Sequence, residues 1–248
     1  MHLLAALRAT ALFHSPWDAF TIIDLIAAST NALNGALLAR RPDHYKHYTT
    51  VGIVLMAFLG GIGGGVSRDI ILNKVPSAFT DPWYLVFCTL AGVLGLCLSY
   101  NTGQKFREGV FGLMTAFSLP WYAVVGADAA LRAHLPLLAA VILGVIGPTA
   151  GRYFIDVTSG VTPKQFVQGE WFVGTAVLAS LLYILFDLMG LHIWPATILT
   201  VALAFGFRRA ALRFRWEEPE PWEPDAEHQS QAPRNTPAHN IREQIQKT

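Results

Sequence analysis

Residues Leu59–Phe79 read LGGIGGGVSRDIILNKVPSAF, and five of the six positions from Gly60 to Gly65 are glycine. The run lies inside an apolar stretch, Tyr48 to Leu72, that exceeds the roughly 20 residues a helix needs to cross a bilayer core. An ionisable pair, Arg68-Asp69, follows the glycines within that same stretch. Sliding the chain by 87 residues lays this segment on IGPTAGRYFIDVTSGVTPKQF, Ile146–Phe166. The overlay pairs Gly60 with Gly147, Gly64 with Gly151, Asp69 with Asp156, Pro76 with Pro163 and Phe79 with Phe166. Each copy is followed by an aromatic pair, Trp83-Tyr84 and, one residue out of register, Trp171-Phe172.

Composition says what solvent this motif sits in. Of 248 residues, 53% are hydrophobic and 14% charged, with a mean hydropathy of +0.40. A soluble domain carries roughly 25% charged residues. The deficit is confined to residues 1–207, where 21 positions are charged, against 14 of the last 41. A soluble core in so small a chain cannot hide that much apolar surface. Seven stretches are long enough, or nearly so, to span: Phe20–Ala39, Tyr48–Leu72, Trp83–Tyr100, Gly109–Ala127, Leu135–Gly151, Trp171–Phe186 and Ile193–Phe207. Trp17, Trp83, Tyr84, Trp171 and Trp194 fall near their ends, as an interfacial aromatic belt requires.

Seven spans put the termini on opposite sides. Arg40, Arg41, Lys46, Lys105, Arg107, Lys164, Arg208, Arg209, Arg213 and Arg215 fall on one side, and Arg8, Lys74 and Arg132 on the other. The positive-inside rule then places the N-terminus outside and the C-terminus in the cytoplasm. From Trp216 the tail is rich in Pro, Glu, Gln and Asn and lacks the apolar content to build a core. His14, His44, His47 and His192 lie near span edges and form no metal-ligand spacing. Cys88 and Cys97, about 13 Å apart on one helix, are too far for a disulfide. GGIGGG lacks the Gly-Lys-Ser/Thr of a phosphate loop, and neither a catalytic triad nor a basic block for nucleic acid is present. The expected partner is membrane lipid, and enzyme activity is not expected.

Each repeat holds three spans. Three is odd, so the second copy enters from the opposite face, giving an inverted repeat in which the functional site lies near the midplane. The organisation expected is an N-terminal segment (1–16), a first repeat (17–104), a second, inverted repeat (105–190), a seventh helix (191–212) and a polar tail (213–248). Gly60, Gly61, Gly63, Gly64 and Gly65, each costing about 1 kcal/mol against alanine in a helix in water, favour a break in the second span, with close helix packing through small residues as the alternative. Gly147, Pro148 and Gly151 do the same in the fifth, where proline removes a backbone hydrogen bond. Pro120 predicts a kink in the fourth span, with Ser118 at hand for the freed carbonyl.

Charges at membrane depth are costly and mark function. Arg68 and Asp69, with Ser67 beside them, and Arg152 with Asp156 are therefore the candidate pore or gating residues, joined by Asp24 on the first span near Asn31 and Asn34; structural ion pairs that lock the helices, or charges that reach an interface, are the alternative. Arg152 and Asp156, four apart, can pair on one helix face. Arg68 and Asp69 point about 100° apart, so a cross-repeat exchange, Arg68 with Asp156 and Arg152 with Asp69, is the expectation that matches the pseudo-symmetry.

The glycine-rich segment, in a 3+3+1 arrangement of spans, resembles the prokaryotic trimeric intracellular cation channel family and, equally, the related glycine-transporter-like bacterial membrane proteins. The shared pattern falls on Gly63, Gly64, Gly65, Arg68, Asp69 and Pro76, and the resemblance covers residues 17–212. The second copy departs from it, with Ala150, Gly151 and Arg152 where three glycines would stand and Ile155 in place of the arginine. The resemblance implies an all-α homotrimer in which each subunit carries its own pore, lined by broken second and fifth helices. It implies permeant K⁺ and Na⁺ and no cofactor; no basic phosphoinositide motif is found. Half-helix carbonyl ends would replace part of a cation's hydration. Half-helix N-termini would suit a carboxylate, which keeps open a secondary transporter of a small amino acid. A non-transporting membrane scaffold is the third reading.

Overall fold

The computed structural model describes residues 18–40, 48–100, 104–166 and 171–218, all within a unit of the chain that ends at Glu218. The segment 1–16, Trp17, His14, His44, His47 and the tail from residue 219 lie outside the described residues. Among the described residues, seven long helices carry the fold: α1 Ala19–Leu38, α2 Thr50–Ile71, α3 Pro82–Tyr100, α4 Gln104–Arg132, α5 Leu137–Thr158, α6 Val173–Leu188 and α7 Ile193–Phe214. A single turn of helix, Ser77–Thr80, follows α2, and a 3-10 turn, Lys164–Phe166, follows α5. By length and composition α1, α2, α4, α5 and α7 can cross a membrane, while α3 and α6 are shorter apolar helices. Leu55, Leu90, Leu138, Ile198 and Leu203 are each more than half exposed, a surface that only a lipid solvent accommodates without penalty. The molecule is an all-α, multi-pass membrane protein.

Local chemistry starts the helices where expected. The Asp18 carboxylate accepts from the Thr21 N–H at 2.9 Å, and the Thr49 hydroxyl from the Gly52 N–H at 3.1 Å, satisfying N-terminal donors that otherwise have no partner. Helix ends repeat each other across the 87-residue offset. After α2, Asn73 takes a left-handed conformation (φ +54°), and the Lys74 N–H reaches back to the Asp69 carbonyl at 2.8 Å. After α5, Gly160 does so (φ +69°), and the Val161 N–H reaches the Asp156 carbonyl at 2.9 Å. Next, the Phe79 N–H bonds to the Pro76 carbonyl (2.9 Å) and the Phe166 N–H to the Pro163 carbonyl (3.1 Å). The aligned residues make the same bonds.

α1, α2 and α3 pack on one another, as do α4, α5 and α6; the sets meet through α1 against α4 and α2 against α5, and α7 lies on α4 and α6. α2 and α5 run antiparallel. A Cβ placed on Gly64 would sit 1.9 Å from the Gly147 carbonyl oxygen, and one on Gly151 would sit 2.8 Å from the Gly60 carbonyl oxygen.

These contacts correct the expected helix breaks. α2 is continuous from Thr50 to Ile71 through all five glycines, and α5 is continuous from Leu137 to Thr158 through Gly147, Pro148 and Gly151. The water-based glycine penalty is the wrong reference inside a membrane, where no solvent competes for the backbone hydrogen bonds. Small residues there bring helix backbones together. Gly64 faces α5, while Gly61, whose added Cβ would lie 2.6 Å from Cys88 Sγ and 2.8 Å from Ala32 Cβ, is pressed between α3 and α1.

Several helix limits also move. α4 runs from Gln104 to Arg132, beyond both expected ends. α5 continues past Gly151 to Thr158 because the charges it takes in neutralise each other. α7 continues to Phe214, burying Arg208 and leaving Arg209 and Arg213 exposed, so the polar tail begins after residue 214. Pro120 lies inside α4, but the Ser118 hydroxyl accepts from Asn34 Nδ2 of α1 at 2.9 Å, tying α4 to α1.

Candidate functional site

Buried charge gathers at two levels of the bundle. At the Asn73 end of α2, Arg68 and Asp24 are each 1% exposed and Asp69 4%. Arg68 Nη2 donates to Asp24 Oδ2 at 3.0 Å and Arg68 Nε to Asp69 Oδ1 at 2.8 Å. Asp69 Oδ2 then accepts from the Ser77 N–H (2.8 Å) and hydroxyl (3.1 Å), so the turn after α2 is pinned to this group. The Tyr84 hydroxyl of α3 donates to Asp24 Oδ2 at 2.8 Å. The guanidinium of Arg68 lies 5.5 Å from the centre of the Phe20 ring, and Arg132 stacks on the same ring at 5.1 Å. Arg132 Nε bonds Asp128 Oδ2 at 2.6 Å, Asp128 Oδ1 accepts from Tyr183 at 2.7 Å, and Asp18 stands 3.9 Å from Arg132 Nη1. Four carboxylates thus face two guanidiniums at this end.

At the other end of the α2–α5 crossing, Arg152 Nε donates to Asp156 Oδ1 at 2.8 Å, the pairing four residues apart that the spacing predicts. The Arg152 guanidinium lies 6.0 Å from the centre of the Phe111 ring. The expected cross-repeat exchange is not made. Gly64 lies level with Gly147 and Gly60 with Gly151, which sets Arg152 level with residue 59, nine residues and so about 13 Å of helix rise from Arg68. Arg68 instead bridges Asp24 and its own neighbour Asp69, because the long arginine stem bends across the 100° that separates them.

A small cavity belongs to each level. The first, of about 10 Å³, is lined by Asp24, Gly65, Arg68, Asp69, Tyr84 and Tyr122, among others. Asp24 Oδ1 and Arg68 Nη1 have no hydrogen-bond partner among the described residues. The second, of about 30 Å³, lies between α1, α2, α4 and α5, with Asn34, Gly60, Thr115 and Pro148 buried or half-buried in its walls and Phe111, Arg152 and Phe172 half-buried around it. Tyr122 stands between the two. It lines the first cavity, and its hydroxyl donates to the carbonyl of Gly61, the neighbour of Gly60 in the second.

Of the residues singled out in the sequence, Asp24, Arg68 and Asp69 come together, as do Arg152 and Asp156. Ser67 stays apart, its hydroxyl donating to the Gly63 carbonyl of its own helix at 2.9 Å. Tyr84 is not an interfacial aromatic, being 4% exposed and turned onto Asp24. Tyr122, Ser77, Phe111, Thr115 and Phe172 were not legible as site residues. For Tyr122 a signal exists: a tyrosine in the middle of an apolar span needs a partner for its hydroxyl. Among the described residues no group of three or more His, Cys, Asp or Glu side chains could hold a metal ion.

Comparison with known proteins bears on this geometry. The family described as "Glycine transporter" matches residues 21–100 and 112–188. The chain is similar to a UPF0126 membrane protein of Deinococcus radiodurans, 26% identical over 64% of this chain and 71% of that one. It is also similar to one of Vibrio cholerae, 24% identical over 80% and 81%. Among solved structures, the TRIC trimeric intracellular cation channel orthologue from Rhodobacter sphaeroides superposes with a TM-score of 0.70 at 26% identity, over 79% of this chain and 97% of that one. A prokaryotic TRIC channel crystallised in 0.5 M KCl superposes with a TM-score of 0.71 at 17% identity, over 79% and 97%. The bundle has the fold of these channels.

Proposed function

The chain belongs to the family described as "Glycine transporter", and from that premise we propose that it is a channel for monovalent cations, K⁺ and Na⁺, held here in a closed state. Each subunit of a homotrimer forms its own path, which joins the two cavities along α1, α2, α4 and α5. All seven helices span the membrane as two inverted three-helix repeats and a seventh helix. The repeated helix-end bonding of Asp69 and Asp156 and the antiparallel packing of α2 on α5 support the repeats. The N-terminus is outside and the C-terminus cytoplasmic in the inner membrane, which the loop arginines and lysines favour.

The observation that carries the reading is a pair of cavities at two levels of one bundle, one with Asp24, Arg68 and Asp69 in its wall and the other with Arg152, separated by Tyr122, in a fold held by cation channels. Excess carboxylate around Arg68 and Arg132 favours cations at the outer mouth. The family description favours a second reading, a carrier of a small amino acid. Arg68 Nη1 and Asp24 Oδ1 would complement a zwitterion's carboxylate and ammonium. Volume weighs against it: about 10 Å³ admits roughly one water, and glycine has five heavy atoms. Purified protein in planar bilayers under opposed K⁺ and Na⁺ gradients decides between them. Unitary currents reversing at a cation potential are expected; a silent bilayer with saturable glycine uptake into liposomes refutes the channel.

A further inference from the structure

The seventh helix does not simply run out into the tail. Arg215 takes a left-handed conformation (φ +53°), and the Trp216 N–H bonds back to the Ala211 carbonyl at 2.9 Å. This turn folds the chain onto the bundle. The Trp216 ring packs on Phe214 (centroids 5.8 Å apart) and on Phe207 (6.2 Å), and Phe207 meets Trp171 edge-on at 5.8 Å. Two residues on, Glu218 Oε1 accepts from the Gly174 N–H at 3.2 Å. That N–H belongs to the first turn of α6, whose own N-cap residue, Phe172, supplies no side-chain cap. Glu218 therefore does for α6 what a local Ser or Asp does at most helix starts, and its charge suits the positive end of the helix. Gly174 is part of the fitting, since a Cβ there would meet the Trp171 ring at 2.4 Å.

Phe172, beside this contact, lines the second cavity and lies under the guanidinium of buried Arg208, 5.8 Å from the ring centre. One short segment after α7 thus fixes the helix start that carries an aromatic wall of the cavity. We propose that Trp216–Glu218 is a latch. By capping α6 it keeps Phe172 across the cytoplasmic edge of the second cavity, and its release lets that edge open. The latch rests on reading the second cavity as the inner mouth of the path, but its test does not require conduction.

The test is thiol accessibility in the full-length protein reconstituted in nanodiscs. Thr115→Cys, in a Cys88→Ala, Cys97→Ser background, reports on the second cavity through its rate of reaction with a cationic methanethiosulfonate. Glu218→Ala and Trp216→Ala are expected to raise the rate about fivefold, the population shift that corresponds to losing one helix cap. Glu218→Gln, whose amide oxygen still accepts from Gly174, is expected to fall between, and guards against a variant that merely unfolds. Equal rates in the parent and all three variants overturn the latch, as does a parent already reacting at the Glu218→Ala rate. A raised rate in a protein electrically silent with and without the substitution removes the channel reading and leaves the latch standing.

Discussion

Replacing Gly64 by alanine separates the two accounts of the glycine cluster. In the structure a Cβ at Gly64 would lie 1.9 Å from the Gly147 carbonyl oxygen, 2.9 Å from its carbon and 3.5 Å from its Cα. An ordinary carbon–oxygen contact is near 3.4 Å, so α2 and α5 would have to part by more than 1 Å. No rotamer relieves this, because the opposing atoms are all backbone. Overpacking of a filled core costs about 1–3 kcal/mol, and a clash with no flexible partner belongs at the upper end, about 3 kcal/mol. For a chain of this size that corresponds to a fall in Tm of roughly 6–12 °C. Gly65 is the control: a Cβ there would meet only Arg68 Nη2, at 3.9 Å. Gly65→Ala should therefore be close to neutral. Thermal unfolding in detergent, followed by loss of the monodisperse peak in size-exclusion chromatography, measures both. If glycine served to break the helix, the two variants would behave alike. Equal destabilisation, or a tolerated Gly64→Ala, would refute the close-packing account.

Three other perturbations follow from the same geometry. Arg68→Ala strands two buried carboxylates and should cost about 3–5 kcal/mol, and the double variant Arg68→Met, Asp24→Asn should recover much of the loss in the same unfolding assay. Reversing the α5 pair, Arg152→Asp with Asp156→Arg, should leave folding near the parent, whereas Arg68→Asp with Asp156→Arg should be no better than the worse single variant; a rescue in the second case would mean the two ends meet. Tyr122→Phe removes the O–H that bonds the Gly61 carbonyl, worth about 1 kcal/mol, and should raise open probability about fivefold in bilayer recordings; an unchanged value would discard Tyr122 as the closure.

What the sequence made legible was the part governed by solvent and by spacing. Charge-poor apolar stretches became helices, five of them, among the described residues, long and apolar enough to cross a membrane, since lipid allows little else. The i, i+4 spacing of Arg152 and Asp156 became an ion pair. The glycine cluster is compatible in sequence with both a helix break and close packing, and propensity measured in water tips the reading to the break because it treats glycine only as a loss. Which way each glycine faces, Gly61 to α3 and Gly64 to α5, depends on the rotation of neighbours that no local pattern states. Arg68 defeated spacing for a different reason. Its partner Asp24 is 44 residues away, and its other partner is adjacent, where the angle between Cβ directions forbids contact for a short side chain but not for arginine. Tyr84 carried a plausible surface role as a belt aromatic, and only the tertiary fold turns its hydroxyl inward.

Backbone contact between α2 and α5 has a consequence for how the proposed path selects ions. With Gly64 against Gly147 and Gly60 against Gly151, nothing passes between these two helices. Because both helices are continuous at this point, neither presents the half-helix end that would strip a cation of water. Any path must run beside the crossing, on the faces shared with α1 and α4, where Asp24, Asn31, Asn34, Thr115 and Tyr122 line the cavities. Selectivity then rests on side chains rather than on a carbonyl cage, which favours discrimination by charge over discrimination by ion size. Neutralising Asp24 should accordingly reduce cation-over-anion preference, as a shift of reversal potential in a KCl gradient, while leaving the K⁺ to Na⁺ ratio within a factor of about two. A large change in that ratio with charge preference intact would place the selecting groups on the backbone of α2 and α5 instead.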